Sequence, residues 1–546
     1  MTGADAIIKC LVNEGVEYVF GYPGVAIAPF FDSILDSGIH SILVRQEQNA
    51  AHAASGYARI SGKTGVVAVT SGPGATNLIT GIATAFADSI PMVCITGQVN
   101  SKLMGSDVFQ EADISGAVES FVKYSYILRD AADIPRVFKE AFMIASTGRK
   151  GPVLIDIPID IQQANISRYV YPEDVKMRTY KPTVSGHAVQ IKKVITALGK
   201  VKRPILCVGG GVHLSDGVAK VRAFAEKFGI PVVSTMMGLS AMPSDHPLYF
   251  GMVGNNGQQY GNRAMNESDM IIMVGARVAD RSISQPDLIT DNKILVHIDV
   301  DPAEIGKNAG PNVPLVGDIS HIFTKFLEQE PAADYSAWVK VLEGYRNVGE
   351  HTRQKNIKDA IRQADPDGIH PATFIRALSL AMDENAVYVA DVGQNQMWSC
   401  ANAWIRSGRF LTSGGMGTMG YAVPAAMGAQ VADPDRQVVA VCGDGGFQMT
   451  MMELATIRQQ NIHAKIVVIK NGYLGLVRQY QHYSYKDRYS VVDLGSWPDL
   501  EKLTQAYGMD FIRVSRKEEQ AKAIEDFLAD SAPVLMEVDV AMELLS

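Results

Sequence analysis

Residues 437–447 have the sequence QVVAVCGDGGF, and this stretch decides the fold. Residues 437–442 are apolar and β-branched, which predicts a buried strand. Residues 447–460 predict a helix, and residues 464–470 (AKIVVIK) predict a second strand. A strand–helix–strand unit has parallel strands. If the two strands are neighbours, Asp444 and Asn471 lie at their carboxyl ends, about 5 Å apart.

Two oxygen-bearing side chains beside a glycine-rich turn suit a magnesium ion that holds a diphosphate. Open α/β sheets bind ligands outside the carboxyl ends of their strands. Mg²⁺ takes few protein oxygens and completes its octahedron with phosphates and water. A simpler interpretation is a strand-to-helix turn in which Asp444 only caps the helix. Asn471, at the end of the second apolar strand, favours the metal site.

Composition sets the broad class of protein. A chain of 546 residues predicts about three domains. With 47% hydrophobic and 20% charged residues, it has the composition of a globular protein with ample core. The net charge of −8, without a dense basic block, argues against nucleic acid or a membrane as partner. Five scattered cysteines predict buried, reduced thiols in a cytoplasmic protein.

Apolar runs alternate with amphipathic stretches, which predicts an α/β fold with parallel sheets. The predicted strands form three groups: 18–21, 41–45, 65–70, 92–97 and 153–158; 204–208, 231–235, 270–274 and 294–300; 387–391, 410–412, 438–442, 466–469 and 534–538. Polar stretches at residues 162–184 and about 344–367 separate the groups. We therefore expect three doubly wound parallel-sheet domains, at residues 1–165, 185–335 and 365–546.

A second candidate residue is Glu47, which stands where a predicted strand gives way to an alanine-rich helix in VRQEQNAAHAA (residues 44–54). An acid in a first helical turn is ordinarily explained by the helix dipole. Its interpretation therefore depends on what the rest of the chain resembles.

The GDG sequence with a downstream asparagine resembles the motif of thiamine-diphosphate (ThDP) enzymes. The resemblance covers nearly the whole chain and is closest to the acetohydroxyacid synthase (acetolactate synthase) large-subunit family. The segments that carry it are 47–59 (EQNAAHAASGYAR), 70–78 (TSGPGATNL), 109–114 (FQEADI), 411–428 (LTSGGMGTMGYAVPAAMG) and 471–481 (NGYLGLVRQYQ). It implies pyrimidine-binding, central and diphosphate-binding domains of the ThDP decarboxylase type.

The implied reaction is decarboxylation of pyruvate followed by carboligation to a second 2-keto acid, in branched-chain amino-acid biosynthesis. Pyruvate as acceptor gives 2-acetolactate, and 2-ketobutyrate gives 2-aceto-2-hydroxybutyrate. In this family the glutamate comes from one chain and the metal motif from a partner chain. The resemblance thus implies a homodimer or tetramer with intersubunit active sites. Whether a separate regulatory small subunit binds is left open.

The resemblance assigns roles residue by residue. Asp444, Asn471 and the carbonyl of Tyr473 would hold Mg²⁺, and Glu47 would activate the cofactor. Met419 would bend the cofactor, its alternative being ordinary core packing. The other implied ThDP contacts are Gly393, Gln394, Gly417, Gly443, Gly445, Gly446, Tyr473 and Leu476. The implied catalytic residues besides Glu47 are Gln110, Phe109, Lys102 and Arg281, the last receiving the acceptor's carboxylate. Val25 and Tyr480 would line the substrate pocket.

FAD is the third implied cofactor, with Gly209, Gly210, Arg277 and Asp299 as contacts. Three departures from the family pattern fall near that site: Ala279 for Asp, Asn255–Asn256 for Met-His, and Ile159 for Lys. Four others fall near the substrate: Val25 for Gly, Asn395 for His, Lys102 for Arg, and Tyr480 for Trp. A phenol is smaller than an indole, and one methylene is worth about 1–3 kcal/mol. We therefore expect a weaker preference for 2-ketobutyrate and reduced sulfonylurea sensitivity.

Two alternative functions are open at this point. One is another ThDP carboligase or decarboxylase, such as a catabolic acetolactate synthase; glyoxylate carboligase is disfavoured because that enzyme lacks the glutamate present here as Glu47. The other is a catalytically inactive paralogue, which need not retain Glu47, Gln110, Asp444 and Asn471 together.

Overall fold

The computed structural model describes residues 1–496, 498–529 and 532–540, and this part of the chain forms three six-stranded sheets. The inner strands are apolar runs buried on both faces, as in Val438–Gly443. Such runs are typical of parallel sheets covered by helices on both sides. The α/β class with parallel sheets is therefore confirmed.

The first sheet has the strand order β2-β1-β3-β4-β6-β5, and all its pairings are parallel. Its strands are β1 (Tyr18–Tyr22), β2 (His40–Leu43), β3 (Gly65–Val69), β4 (Met92–Gln98), β5 (Tyr124–Ile127) and β6 (Pro152–Pro158). Its helices are α1 (Gly3–Asn13), α2 (Ala28–Ile34), α3 (Glu47–Ser61), α4 (Pro73–Ala87), α5 (Ile114–Val118), α6 (Ile134–Ser146) and α7 (Ile159–Gln163).

The central sheet has the order β12-β11-β10-β7-β8-β9, again all parallel. Its strands are β7 (Pro204–Val208), β8 (Val232–Ser234), β9 (Tyr249–Met252), β10 (Met270–Val274), β11 (Ile294–Asp299) and β12 (Val313–Val316). Its helices are α8 (Ala188–Leu198), α9 (Gly211–Leu214), α10 (Val218–Phe228), α11 (Gln259–Glu267) and α12 (Ile319–Leu327). This is the strand order of dinucleotide-binding folds, which bind ligands where the order reverses, here between β7 and β10.

A long helix, α13 (Ser336–Ala364), leads to the third sheet, whose order is β14-β13-β15-β16-β18-β17, all parallel. Its strands are β13 (Val387–Ala390), β14 (Arg409–Leu411), β15 (Val438–Gly443), β16 (Lys465–Lys470), β17 (Asp510–Val514) and β18 (Val534–Asp539). Its helices are α14 (Pro371–Ala381), α15 (Gln394–Asn402), α16 (Ala422–Ala432), α17 (Asp444–Thr450), α18 (Leu454–Gln459), α19 (Gly475–Tyr485), α20 (Leu500–Ala506) and α21 (Gln520–Ala529). The first and third sheets thus share one topology.

Several details differ from the sequence-based expectations. The helix expected at residues 447–460 begins at Asp444 and is interrupted by a 3₁₀ turn, Met451–Glu453. The polar stretch 344–367 is mostly helical, because it continues α13, whose first turns pack on the central sheet through Trp338. Four strands were missed, and each lies at a sheet edge: β5, β9, β12 and β17. All five cysteines are buried free thiols, as expected.

The first and third sheets meet through helices α3 and α16, which cross at glycines. A Cβ on Gly56 would lie 1.9 Å from the carbonyl oxygen of Ala425, and one on Gly428 would lie 1.7 Å from that of Ala53. The two backbones therefore touch directly. Among the described helices, none is both long and apolar enough to cross a lipid bilayer.

Candidate active site

Asp444 and Asn471 follow two adjacent strands. β15 and β16 pair in parallel with Gly443 opposite Ile469, so both residues emerge at the same edge of the sheet. The Asp444 carboxylate accepts the N–H groups of Gly445 at 3.0 Å and Gly472 at 2.7 Å. Burial raises the pKa of Asp444 to about 6, although these N–H groups act in the opposite direction. The structure thus brings the two predicted metal ligands together.

The other predicted ligand, Tyr473, lies in the same turn. Its N–H donates to Oδ1 of Asn471 at 2.9 Å, which fixes the turn that presents the Tyr473 carbonyl. Within the described residues no group of three or more His, Cys, Asp or Glu side chains could hold a metal ion. A cation here would therefore need amide and carbonyl oxygens beside the single carboxylate, which is a donor set that suits Mg²⁺.

The end of β13 lies on the other side of β15 and supplies Gly393 and Gln394. Gln394 accepts from Nδ2 of Asn471 at 3.2 Å and donates to Gln479 at 3.1 Å. A Cβ added at Gly393 or Gly443 would meet no atom within 4 Å, so open space adjoins both strand ends. Gly393 has φ +120°, which favours glycine.

Met419 stands beside this open space in the loop that precedes α16. Its Cε lies 3.5 Å from the position of a Cβ on Gly445. Asp391, at the end of β13, accepts the N–H groups of Gly420 at 2.9 Å and Ala422 at 3.0 Å, and so anchors the loop. Gly446 packs against the same carboxylate. Sequence reasoning missed Asp391; an acid ending a buried strand was the available signal.

Glu47 is the first residue of α3, at the carboxyl end of the first sheet. Its Oε2 accepts from Nδ2 of Asn77 at 3.0 Å. Gly74 lies nearby, because a Cβ added to it would be 3.4 Å from Oε1 of Glu47. Residues of the segment 70–78 therefore surround the carboxylate, which the resemblance alone did not indicate.

The loop between β4 and α5 carries Lys102, Phe109 and Gln110. Gln110 has φ 60°, and it packs against Gly72 of the segment that also supplies Asn77. Phe109 is 87% exposed, and Lys102 is exposed. The structure thus packs Gln110 against the segment that also contacts Glu47, while Phe109 and Lys102 face solvent in a single chain.

Val25 and Tyr480 are exposed side chains that lie beside different sheets. Val25 is 78% exposed beside Gly24, which packs on Thr70. Tyr480, on α19, is 60% exposed. Among the described residues, no hydrogen bond or ion pair joins Glu47 to Asp444 or Asn471. We refer to the groups around Glu47 and around Asp444 as the two half-sites.

A groove of about 1060 Å³ opens between the three sheets. Its walls include six predicted residues: Gly210, Arg277, Arg281 and Asp299 beside the central sheet, and Gly417 and Leu476 beside the third. Burial raises the pKa of Asp299 to about 6. This volume lies just above the range of about 300–1,000 Å³ for ligand pockets. The groove is thus large enough for a dinucleotide.

Other residues predicted near the groove behave differently. Gly209 is absent from its walls: a Cβ there would lie 2.3 Å from the Gly275 carbonyl oxygen, so backbone packing explains this glycine. The departures Ala279, Asn255 and Asn256 do line it. Asn395, another departure, is buried and donates to the carbonyls of Asp391 and Val441, which ties β13 to β15.

The first and third sheets share one strand order. Asp444 and Asn471 lie at the strand ends of the third sheet and Glu47 lies beside the first, which is the arrangement of ThDP-dependent enzymes. Three family models agree: the thiamine pyrophosphate enzyme N-terminal TPP binding domain matches residues 1–117, the central domain residues 191–327, and the C-terminal TPP binding domain residues 391–538.

Full-length relatives narrow the class. A "probable acetolactate synthase large subunit" of Methanocaldococcus jannaschii is 41% identical over 98% of this chain and 92% of its own length. The acetolactate synthase large subunit of Corynebacterium glutamicum is 42% identical over 96% and 84%, and that of Haemophilus influenzae 41% over 99% and 94%. The chain belongs to the acetolactate synthase large-subunit family.

Proposed function

We propose that the chain decarboxylates pyruvate and joins the remaining two-carbon unit to a second 2-keto acid. With pyruvate as acceptor the product is 2-acetolactate, and with 2-ketobutyrate it is 2-aceto-2-hydroxybutyrate. The observation that carries this proposal is the convergence of Asp444 and Asn471 on open space at the ends of β15 and β16. Incubation with pyruvate, ThDP and Mg²⁺, followed by product identification, tests it. Acetaldehyde as the only product would overturn the carboligation.

The third sheet would hold the diphosphate and its metal. Mg²⁺ would take the Asp444 carboxylate, Oδ1 of Asn471 and the Tyr473 carbonyl. Gly393, Gln394, Gly443, Gly445, Gly446 and Leu476 would surround the diphosphate. The single carboxylate and the open space at the strand ends support this assignment. When bound, ThDP supplies the electron sink that decarboxylation of a 2-keto acid requires.

The first sheet would act on the other end of the cofactor. Glu47 would hold a proton between its carboxylate and a ring nitrogen of the aminopyrimidine, while Asn77 keeps Oε2 oriented. Met419 would wedge the cofactor into a bent shape, since its Cε lies 3.5 Å from the position of a Cβ on Gly445. Unchanged turnover in Glu47→Gln would contradict this role of Glu47. It would favour a different mechanism or the non-enzymatic alternative.

We also propose that the complete site forms between two copies of the chain, as a homodimer or a pair of dimers. Among the described residues no hydrogen bond joins Glu47 to Asp444 or Asn471, which supports this, as does the exposure of Phe109, Val25 and Tyr480. Mixing the inactive variants Glu47→Gln and Asp444→Asn is the direct test. Random exchange should restore about a quarter of wild-type activity, because half of the dimers are heterodimers with one intact site. Mixtures that stay inactive after demonstrated subunit exchange contradict an intersubunit site.

The acceptor would bind between these half-sites and the groove. Arg281 would receive its carboxylate, with Gln110, Phe109 and Lys102 on one side and Val25 and Tyr480 on the other. We propose a weaker preference for 2-ketobutyrate than a tryptophan at this position would give, because Tyr480 offers less apolar surface than tryptophan. A competition assay with both acceptors tests this. A strong 2-ketobutyrate preference that Tyr480→Trp leaves unchanged would contradict it.

FAD is proposed for the groove between the sheets. The dinucleotide-type strand order, the volume of about 1060 Å³ and the walls formed by Gly210, Arg277 and Asp299 support it. Titration of the purified protein with FAD, followed by flavin fluorescence, gives a binding readout independent of turnover. If FAD did not bind and catalysis were undiminished, the flavin proposal would be refuted, and the chain would be an enzyme that works without a flavin.

The pathway and the partners remain proposals as well. We propose a biosynthetic rather than catabolic role, supported by the segments FQEADI and LGLVRQ. The relatives are named large subunits, which supports a separate regulatory small subunit. We propose the domain boundaries 1–165, 185–335 and 365–546, which the three separate sheets support. We also propose a cytoplasmic location, which the five buried free thiols support. Growth of a branched-chain auxotroph on expression of the chain tests the biosynthetic role.

A further inference from the structure

A small cavity lies where the three sheets meet, below the large groove. Side chains from all three sheets line it: Arg59 and Asp88 from the first, His213 from the central and Arg409 from the third. Its volume is about 30 Å³. One water needs about 10–15 Å³, so the cavity has room for about two waters or one ion of halide size.

Arg59 and Asp88 neutralise each other in its wall. They form an ion pair at 2.8 Å, with side chains 6% and 0% exposed. Asp88 also accepts the N–H groups of Gly414 at 3.3 Å and Gly415 at 2.7 Å. This carboxylate thus accepts from Arg59 and from two backbone groups. The Nε–H of Arg59 is nevertheless buried without a partner.

Arg409 is the unbalanced charge. Within the described residues its guanidinium makes no ion pair or hydrogen bond, and its Nε is buried. Burial and the neighbouring Arg59 and Arg436 lower its pKa to about 10, so it remains charged at neutral pH. Arg409 is partly buried, and its Nε is fully buried. Removing a cation from water without a counter-ion is unfavourable. The cavity therefore carries one excess positive charge and two unpaired N–H donors.

His213 does not change that balance. Its Nε2 lies 2.9 Å from the Leu239 carbonyl and so carries the hydrogen. Burial, together with Arg409 and Arg59, lowers the pKa of His213 well below its ordinary value, and the ring is neutral. Its Nδ1 is left as an acceptor, so donors to a guest must come from the two arginines.

We propose that this cavity binds one small monovalent anion of halide size, with Arg409 as its counter-ion and the two arginine Nε–H groups as donors. Chloride is the halide that cells supply. The anion would tie the three sheets together, independently of substrate and of the proposed reaction. Water alone would satisfy the donors but leave the charge of Arg409 uncompensated.

Crystals of the full chain grown in bromide instead of chloride test the site directly. We expect an anomalous peak within hydrogen-bond distance of Arg409 and Arg59, and its loss in Arg409→Met. Ordinary water density without an anomalous peak would overturn the proposal. Because the wild-type protein suffices for this result, it does not depend on how well the variant folds.

Thermal unfolding provides the solution test. At constant ionic strength, the melting temperature of the wild type should rise as chloride or bromide replaces gluconate, which is too large for the cavity. Arg409→Met should lose this dependence, whereas the matched control Arg406→Met, whose charge faces Glu384 at the surface, should retain it. Equal dependence in all three proteins would contradict the site. Stabilisation by phosphate but not by halides would overturn the halide assignment.

Discussion

Asp391 is a buried carboxylate at the end of β13, and it holds the loop that lies beside the Asp444 turn. It accepts three backbone N–H groups, from Val392 at 2.7 Å, Gly420 at 2.9 Å and Ala422 at 3.0 Å. Burial raises its pKa to about 6, against the effect of these three donors. The side chain fixes the loop that carries Met419 and the first turn of α16.

Replacing Asp391 with asparagine should weaken cofactor binding. An amide has only one acceptor oxygen, so at least one bond worth about 1.5–3 kcal/mol is lost. We expect a lower melting temperature and an affinity for ThDP with Mg²⁺ reduced at least about tenfold. Equilibrium titration with ThDP measures the effect. Asp435→Asn, at an exposed position, is the control; unchanged ThDP affinity in Asp391→Asn contradicts the assigned role.

Asp156 lies behind the loop that carries Gln110. Its carboxylate accepts hydrogen bonds from Oγ1 of Thr96 at 2.7 Å and from Nε2 of Gln98 at 3.0 Å. The same Nε2 also donates to the carbonyl oxygen of Ala112. Burial raises the pKa of Asp156 to about 7. The folded state therefore retains a proton that the unfolded chain releases near pH 4.

This difference in pKa gives a pH dependence of stability. Between about pH 4 and pH 7 the folded state binds more protons, so the stability from this group falls as pH rises, by at most about 4 kcal/mol. Asp156→Asn cannot titrate. We therefore expect the wild-type melting temperature to fall more steeply than that of the variant from pH 5 to pH 8. Parallel profiles would falsify this prediction.

At the scale of elements, the crossing of α3 and α16 shows why small residues fill both helices. The backbones touch at Gly56 and Gly428, where carbonyl oxygens occupy the space that a Cβ would need. Alanine is the better helix former by about 1 kcal/mol. Here the steric cost exceeds that preference, because a carbonyl oxygen belonging to a helix cannot move aside locally.

Gly428→Ala should therefore destabilise the protein despite the better helix propensity. Overpacking in a close contact costs about 1–3 kcal/mol, and more where backbone is involved. We expect a lower melting temperature for Gly428→Ala. The matched control is Gly344→Ala in α13, where an added Cβ meets nothing within 4 Å, and which should be neutral or stabilising. Equal behaviour of the two variants would rule out the crossing as the cause.

The strands show which elements a sequence can reveal. Inner strands such as β15 and β16 are buried on both faces, and their apolar runs predict them directly. The edge strands β5 and β17 are partly exposed and carry mixed residues, so no periodic signal distinguishes them from loops. They form because a neighbouring strand offers unpaired backbone groups, which is a tertiary effect.

At the scale of the molecule, Glu453 joins the two half-sites of one chain. It belongs to the third sheet's helical layer, is fully buried, and accepts the N–H of Arg45 and the side-chain amide of Asn49, both at 2.8 Å. Thr456 donates to its other oxygen at 2.8 Å. Through these bonds the third sheet fixes the start of α3, where Glu47 lies.

Glu453→Ala should disturb catalysis from outside the site. Removing the acceptor leaves buried donors unsatisfied, at about 1–3 kcal/mol each, so the melting temperature should fall. A shift of Glu47 by about 1 Å should lower kcat by more than tenfold, with less effect on KM. Glu453→Gln, which retains one acceptor oxygen, should recover most of the activity. Glu518→Gln, at an exposed position, is the control. Unchanged kcat in Glu453→Ala would contradict the coupling between Glu453 and Glu47.

The sequence by itself determined the buried strands, the parallel α/β class and the positions of Asp444, Asn471 and Glu47 at strand ends, because apolar runs and their terminating residues are local signals. Only the tertiary structure decided the edge strands, the shared strand order of the outer sheets, and the contacts of Asp391 and Glu453. These depend on which distant segments become neighbours, and burial and hydrogen bonding between such segments leave no pattern along the chain.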